Sequence, residues 1–193
     1  MNDFDDKIQI VAFSTNDTRQ TPNDIIDIFL GQHVHSILKK NRNTLAFSTI
    51  LRNSTTPTNI MICSILNLGR EYTGINDVNC YLLFIDLEKE ESAEIFESIL
   101  SYIKDFCESS KKMFVLGMGS EEEDSKYMSK YKIAQKLDSL KINFEYKEIN
   151  LNKIKEVSEI IMDILVYCQQ HSLNEDSKEL DKDRTQFNSC FMF

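Results

Sequence analysis

The sequence predicts an α/β fold: a doubly wound, mostly parallel sheet of about six strands with one antiparallel hairpin and about five helices. Three observations carry this expectation. Cys80 to Asp86 and Met113 to Leu116 are short, almost uninterrupted apolar runs, the pattern of strands buried on both faces of a parallel sheet. Between them Ile95, Ile99, Tyr102 or Ile103, and Phe106 recur at helical spacing, so the stretch reads strand, helix, strand. Two further apolar runs, Thr44 to Leu51 and Asn59 to Leu66, are joined by RNSTTPT, whose Asn, Ser, Thr and Pro suit a turn and antiparallel pairing. Ligands of such sheets bind beyond the carboxyl ends of the strands, here near Asp86 and around Gly117 to Glu121.

With 193 residues, 41% of them hydrophobic, the chain can bury one domain core, assigned to residues 1–171, followed by a flexible tail over 172–193. A net charge of -9, with 22 dispersed Lys and Arg, argues against nucleic acid, whose phosphates need clustered cations. Cys63, Cys80, Cys107, Cys168 and Cys190 form no CxxC and no metal-ligand spacing, and read as reduced thiols of a cytosolic protein. No apolar run reaches the roughly 20 residues of a membrane span, and the acidic start MNDFDD does not resemble a signal peptide.

In chain order, Lys7 to Phe13 is a first strand and FSTNDTRQ a loop. Thr21 then stands at an N-cap, with Pro22 at the first helical position, before Ile25, Ile26, Phe29 and Leu30 on one helix face. Strand, loop and helix start are also the geometry of a phosphate-binding loop. That loop requires glycines to let backbone N–H groups wrap the phosphates and a lysine for their charge. This one has neither, and Asp17 repels an anion.

Gly31 to Asn43 reads as a polar loop holding His33 and His35, a pair with no third metal ligand at useful spacing. Leu68 to Asp77 is a loop with two of the five glycines. In the central unit Ser92 is expected to cap the helix, with Glu88, Glu90 and Glu91 near its positive end. SEEEDSKYM is a solvated acidic loop; Ser129 caps a helix with Ile133, Leu137 and Leu140 inward. Ile142 to Ile149 is the last strand, and Lys153 to His171 the closing helix, burying Ile154, Val157, Ile161, Ile164, Leu165 and Cys168.

From Ser172 the periodicity stops and the segment is polar, the composition of a disordered tail. Cys190-Phe191-Met192-Phe193 matches a Cys-a-a-X prenylation signal, and Phe in the last place points to geranylgeranyl. Lys178, Lys182 and Arg184 are interleaved with acids, so no polybasic patch assists the lipid, and one chain alone gives reversible attachment. No Ser-His-Asp, Cys-His or paired-carboxylate constellation appears, so no catalytic residue is assigned.

The alternation, the hairpin, the tail and the terminal cysteine together resemble the Ras-like small GTPases over essentially the whole chain. VNCYLLFIDLEKEES followed by a helix and MFVLG looks like that family's fourth strand, third helix and fifth strand. MSKYKIAQKL resembles the opening of its fourth helix in the Rab branch, and IKEVSEIIMDIL its closing helix. Carried over by position, the family's phosphate loop falls on Ala12 to Arg19, with Thr18 and Arg19 at the Lys and Ser/Thr places and both glycines lost. Its Mg²⁺-binding threonine matches Thr44. Its D-x-x-G falls on LNLG, where Gly69 survives, Leu66 replaces the aspartate, and Arg70 replaces the glutamine that orients water. Its guanine-reading N-K-x-D falls on Met118 to Glu121, where only Glu121 keeps a carboxylate, and its S-A-K is not kept near Lys147 to Ile149.

Each lost element removes a charge-assisted contact of roughly 1.5–3 kcal/mol, so the losses together lower affinity by several orders of magnitude. The resemblance therefore implies a membrane-tethered pseudo-GTPase that binds effector or regulatory proteins through residues 36–54 and 66–78 in vesicle trafficking or signalling, on the cytoplasmic face of a membrane. Its alternative is a divergent active switch that hydrolyses GTP and binds GTP or GDP with Mg²⁺, the nucleotide being held by Thr18, Arg19, Thr44, Gly69 and Glu121. An unrelated flavodoxin-like α/β module is the third reading.

Overall fold

A computed structural model describes residues 7–15, 22–41, 43–52, 54–65, 78–107, 110–119 and 127–189, with side chains described through Ser172. Its elements are β1 (Lys7–Ser14), α1 (Pro22–Leu30), β2 (His35–Lys40), β3 (Thr44–Thr49), β4 (Thr58–Ser64), β5 (Cys80–Asp86), α2 (Ser92–Phe106), β6 (Lys112–Met118), α3 (Lys130–Ser139), β7 (Phe144–Ile149) and α4 (Ile154–Ser189).

The strands form one 7-stranded sheet in the order β2-β3-β4-β1-β5-β6-β7. β4, β1, β5, β6 and β7 run parallel to one another, and the β3/β4 hairpin is antiparallel with Thr44 opposite Cys63 and Thr49 opposite Thr58. The α/β class and the hairpin are as expected. The count is corrected: seven strands rather than six, and four helices rather than five among the described residues.

The additional strand is β2, where a polar loop was expected. All six of its residues are exposed, so no face of it is apolar enough to leave a period of two in the sequence. Its place is set by backbone pairing with β3 and by the turn between them. There the Asn41 side-chain oxygen accepts from the N–H groups of Asn43 and Thr44 at 3.0 and 2.7 Å, while the Asn41 N–H donates to the Thr44 carbonyl at 2.9 Å. Asparagine closes turns in this way because its short amide reaches its own backbone two residues on.

Helices cover both faces. On one, Ile25, Ile26 and Phe29 of α1 and Val157, Ile161, Ile164 and Leu165 of α4 bury Ile10, Phe47, Ile62, Leu82 and Phe84. On the other, Phe96, Ile99 and Ile103 of α2 and Ile133 and Leu137 of α3 bury Phe13, Leu83, Ile85 and Val115. The alternate residues of β1 and β5 thus point to opposite cores, which explains why these strands read as unbroken apolar runs.

Two helix starts were inferred from serines. Ser129 does cap α3, accepting from the Lys132 N–H at 3.4 Å. Ser92 does not cap α2: Glu91 holds that place without a side-chain bond, and Ser92 is a buried first-turn residue. The closing helix, expected to end near His171, continues as backbone to Ser189. No helix among the described residues is long and apolar enough to cross a membrane.

Candidate functional site

β1 lies between β4 and β5, so the chain leaves it toward one side of the sheet and later returns on the other. At such a reversal the carboxyl ends of neighbouring strands part and leave a crevice. Here the space lies beyond β5, β6 and β7: a cavity of about 210 Å³ lined by Asp86, Glu88, Met118, Gly119, Asn150, Leu151 and Asn152.

Its floor is a stair of backbone bonds. The Leu87 N–H donates to the Met118 carbonyl at 2.9 Å, and the Gly119 N–H to the Ile149 carbonyl at 3.2 Å, so each strand end is fixed by the next. On the β1 side, the buried Thr15 donates its N–H to the Phe84 carbonyl at 3.0 Å. Its hydroxyl accepts from the Asp86 N–H at 2.9 Å and donates to the Ser92 hydroxyl at 3.2 Å. That explains the failed cap: Ser92 is turned inward to close β1 against α2.

The Asp86 carboxylate accepts from the Glu88 N–H at 3.2 Å and pairs with Lys89 at 3.4 Å. Across the crevice, Asn150 accepts from the Asn152 N–H at 3.0 Å through its side chain, and its carbonyl accepts from the Lys153 N–H at 2.8 Å. The Asn150 turn therefore sets the start of α4. Behind the wall Gly117 is tightly enclosed: an added Cβ would stand 2.5 Å from the Tyr146 Oη and 3.1 Å from Leu87 Cδ1, so the Tyr146 ring would have to shift. The Tyr146 hydroxyl donates to Glu148 at 3.2 Å. Burial, and then the adjacent Glu148 carboxylate, push that phenol above its ordinary range.

Chemically, the lining is rich in acceptors. Two carboxylates face the space, two asparagines stand opposite, and among the described residues none that lines it is basic. A phosphate about 5 Å from one carboxylate is repelled by on the order of 3 kcal/mol at an effective dielectric near 20. Among the described residues no group of three His, Cys, Asp or Glu could hold a metal ion, and no buried side-chain polar atom lacks a partner.

Of the residues carried over by family position, Thr18, Arg19, Gly69 and Glu121 lie outside the described residues, as do Leu66 and Arg70. Thr44 begins β3, half-buried, at the same end of the sheet as the crevice. It stands three strand positions from β5, about 14 Å at the usual strand spacing. The first three places of the expected phosphate loop, Ala12 to Ser14, are strand, and Ala12 is fully buried. Met118 and Gly119 do line the crevice, whereas Lys147 to Ile149 remain within β7.

Asn150 and Asn152 were missed; the signal was present as N-L-N-K between a strand and a helix, a turn composition. His33 and His35 do not converge on a shared site. His33 Nε2 lies 2.8 Å from the Ser158 hydroxyl with its ring packed on Phe29, and His35 Nδ1 lies 2.9 Å from the His33 carbonyl. The lipidation candidate, Cys190, lies outside the described residues. Comparison with models of known protein families and with curated proteins finds no match for this chain.

Proposed function

We propose that the chain is a Ras-like small-GTPase-family scaffold with an eroded guanine-nucleotide site, acting by protein binding in vesicle trafficking or signalling. The observation that carries this reading is the crevice lining, in which Asp86 and Glu88 face the space and none of the described residues that line it is basic. At the neighbouring end of β1, the Thr15 hydroxyl is already committed to Asp86 and Ser92. The scaffold half of the reading is supported by the mixed sheet with its β3/β4 hairpin and by the two-sided helical cover.

The test is direct. Purified protein with Mg²⁺ and labelled GTP or GDP is expected to give no saturable binding in the micromolar range; tight binding overturns the reading. A divergent, GTP-hydrolysing switch is the second reading. It is favoured by the acceptors of Asp86, Glu88, Asn150 and Asn152, which suit the N–H edge of a purine ring.

The tether in this reading is a prenyl group on Cys190, giving reversible residence on the cytoplasmic face of a membrane. Cys190→Ser is expected to move the protein from the membrane fraction to the soluble one. An unchanged membrane fraction removes the lipid from the account.

A further inference from the structure

The edge strand β2 presents His35–Lys40 with all six residues exposed, paired to β3 on one side and, among the described residues, to no other strand. A strand edge of this kind offers backbone donors and acceptors to another extended segment. Its surroundings are unusually apolar for a surface. Of the seven large apolar side chains exposed among the described residues, Val34, Ile37, Leu38 and Ile50 all lie on or beside this edge. The charge is local too: His35, Lys39 and Lys40 carry no acid among them, in a chain of net charge -9.

These features decide between occupants. Two copies joined edge to edge would gather four lysines into one short ribbon, with only the Asp27 partner of each Lys40 to offset them. Lysines and a bulge, here the register shift between Ile37 and Lys39, are devices by which edges avoid their own kind. The same lysines attract an acidic segment at close range, where their local charge outweighs the screened, longer-range repulsion of a chain of net charge -9.

We propose that β2 is the docking edge for an extended acidic segment of a partner protein, which adds to the sheet alongside β2. Alternate apolar residues of the segment contact Ile37 and Leu38 while its carboxylates face His35, Lys39 and Lys40. This deepens, and rests on, the reading of the chain as a protein-binding module; the geometry of the edge does not depend on whether nucleotide binds. Lys40 already pairs with Asp27 at 2.5 Å, so Lys39 is the cleaner cation to alter.

The experiment uses the full chain, a synthetic peptide alternating Glu with Val, and its Lys-for-Glu counterpart. The acidic peptide is expected to bind, to slow amide hydrogen exchange over residues 35–40, and to lose affinity as salt rises. K39E is expected to weaken it by about three- to fivefold and to strengthen the basic peptide. The exposed position leaves the fold unchanged, which thermal melting checks. Equal binding of both peptides, protection elsewhere in the chain, or a concentration-dependent dimer that itself protects β2 overturns the proposal. Tight GTP binding with β2 protected by the peptide overturns the pseudo-GTPase reading alone, so the two failures are distinguishable.

Discussion

Cys80 and Cys168 meet sulfur to sulfur at 2.9 Å, the Cys168 thiol donating to Cys80. The contact joins the first residue of β5 to α4, and both side chains are fully buried. Burial holds the Cys80 thiol well above its ordinary range, reinforced by Cys168 and only partly opposed by Lys112. Alkylation requires the thiolate. In native protein at mildly alkaline pH, Cys80 is therefore expected to stay unmodified by iodoacetamide, as is Cys168 because it is fully buried out of the reagent's reach, and both to react once denaturant is added; mass spectrometry reads both. Cys168→Ala removes the contact and leaves a small cavity, at a cost of on the order of 1–2 kcal/mol in denaturant unfolding.

Thr15→Val keeps the shape of the side chain and deletes its hydroxyl. The Asp86 N–H then loses its acceptor and the buried Ser92 its donor. The expected loss is about 1–3 kcal/mol. Because the two hydroxyls act on each other, Thr15→Val combined with Ser92→Ala should cost less than the sum of the single changes, measured by a double-mutant cycle.

Gly117→Ala forces its new methyl against the Tyr146 phenol and Leu87. Overpacking of this kind costs about 1–3 kcal/mol. Tyr146→Phe removes the nearest atom, so the double variant should recover part of the loss in thermal melting. Full tolerance of Gly117→Ala by itself would show that the Tyr146 ring moves freely.

Lys112 donates to Glu145 at 2.6 Å while its ammonium lies over the rings of Phe114 and Tyr167 at 4.9 and 4.7 Å. That hydrogen bond, the largest influence on Glu145, holds its carboxyl below the ordinary 4.5. A depressed carboxylate favours the fold above its unfolded pKa, and the contribution is lost as pH falls through the native one. Stability should therefore decline as pH falls below about 4.5. Lys112→Met should flatten that decline, as read from urea midpoints across the acid range.

What the sequence disclosed follows burial. β5, α2 and β6 were legible because their apolar residues face two cores, leaving unbroken runs and a helical period. β2 was not, since a strand exposed at every residue carries no apolar signature. Ser92 misled because a serine before a helical pattern satisfies the rule for a cap whether its hydroxyl turns to the helix or, as here, to Thr15. At the crevice, Asp86 and Gly119 were legible as strand ends. Asn150 and Asn152 depended on where β7 stops, and strand boundaries are set by pairing partners distant in the chain.

The length of α4 has a consequence for the molecule's outline. Seven residues of strand give a sheet about 23 Å deep, and a helix needs about 15 residues to traverse that depth. Ile154 to Cys168 is that span, and Cys168, against Cys80, is the last fully buried apolar residue of α4 among those whose side chains are described. The helix of 36 residues measures about 54 Å in all. The backbone of α4 is thus more than twice as long as the depth of the sheet it crosses.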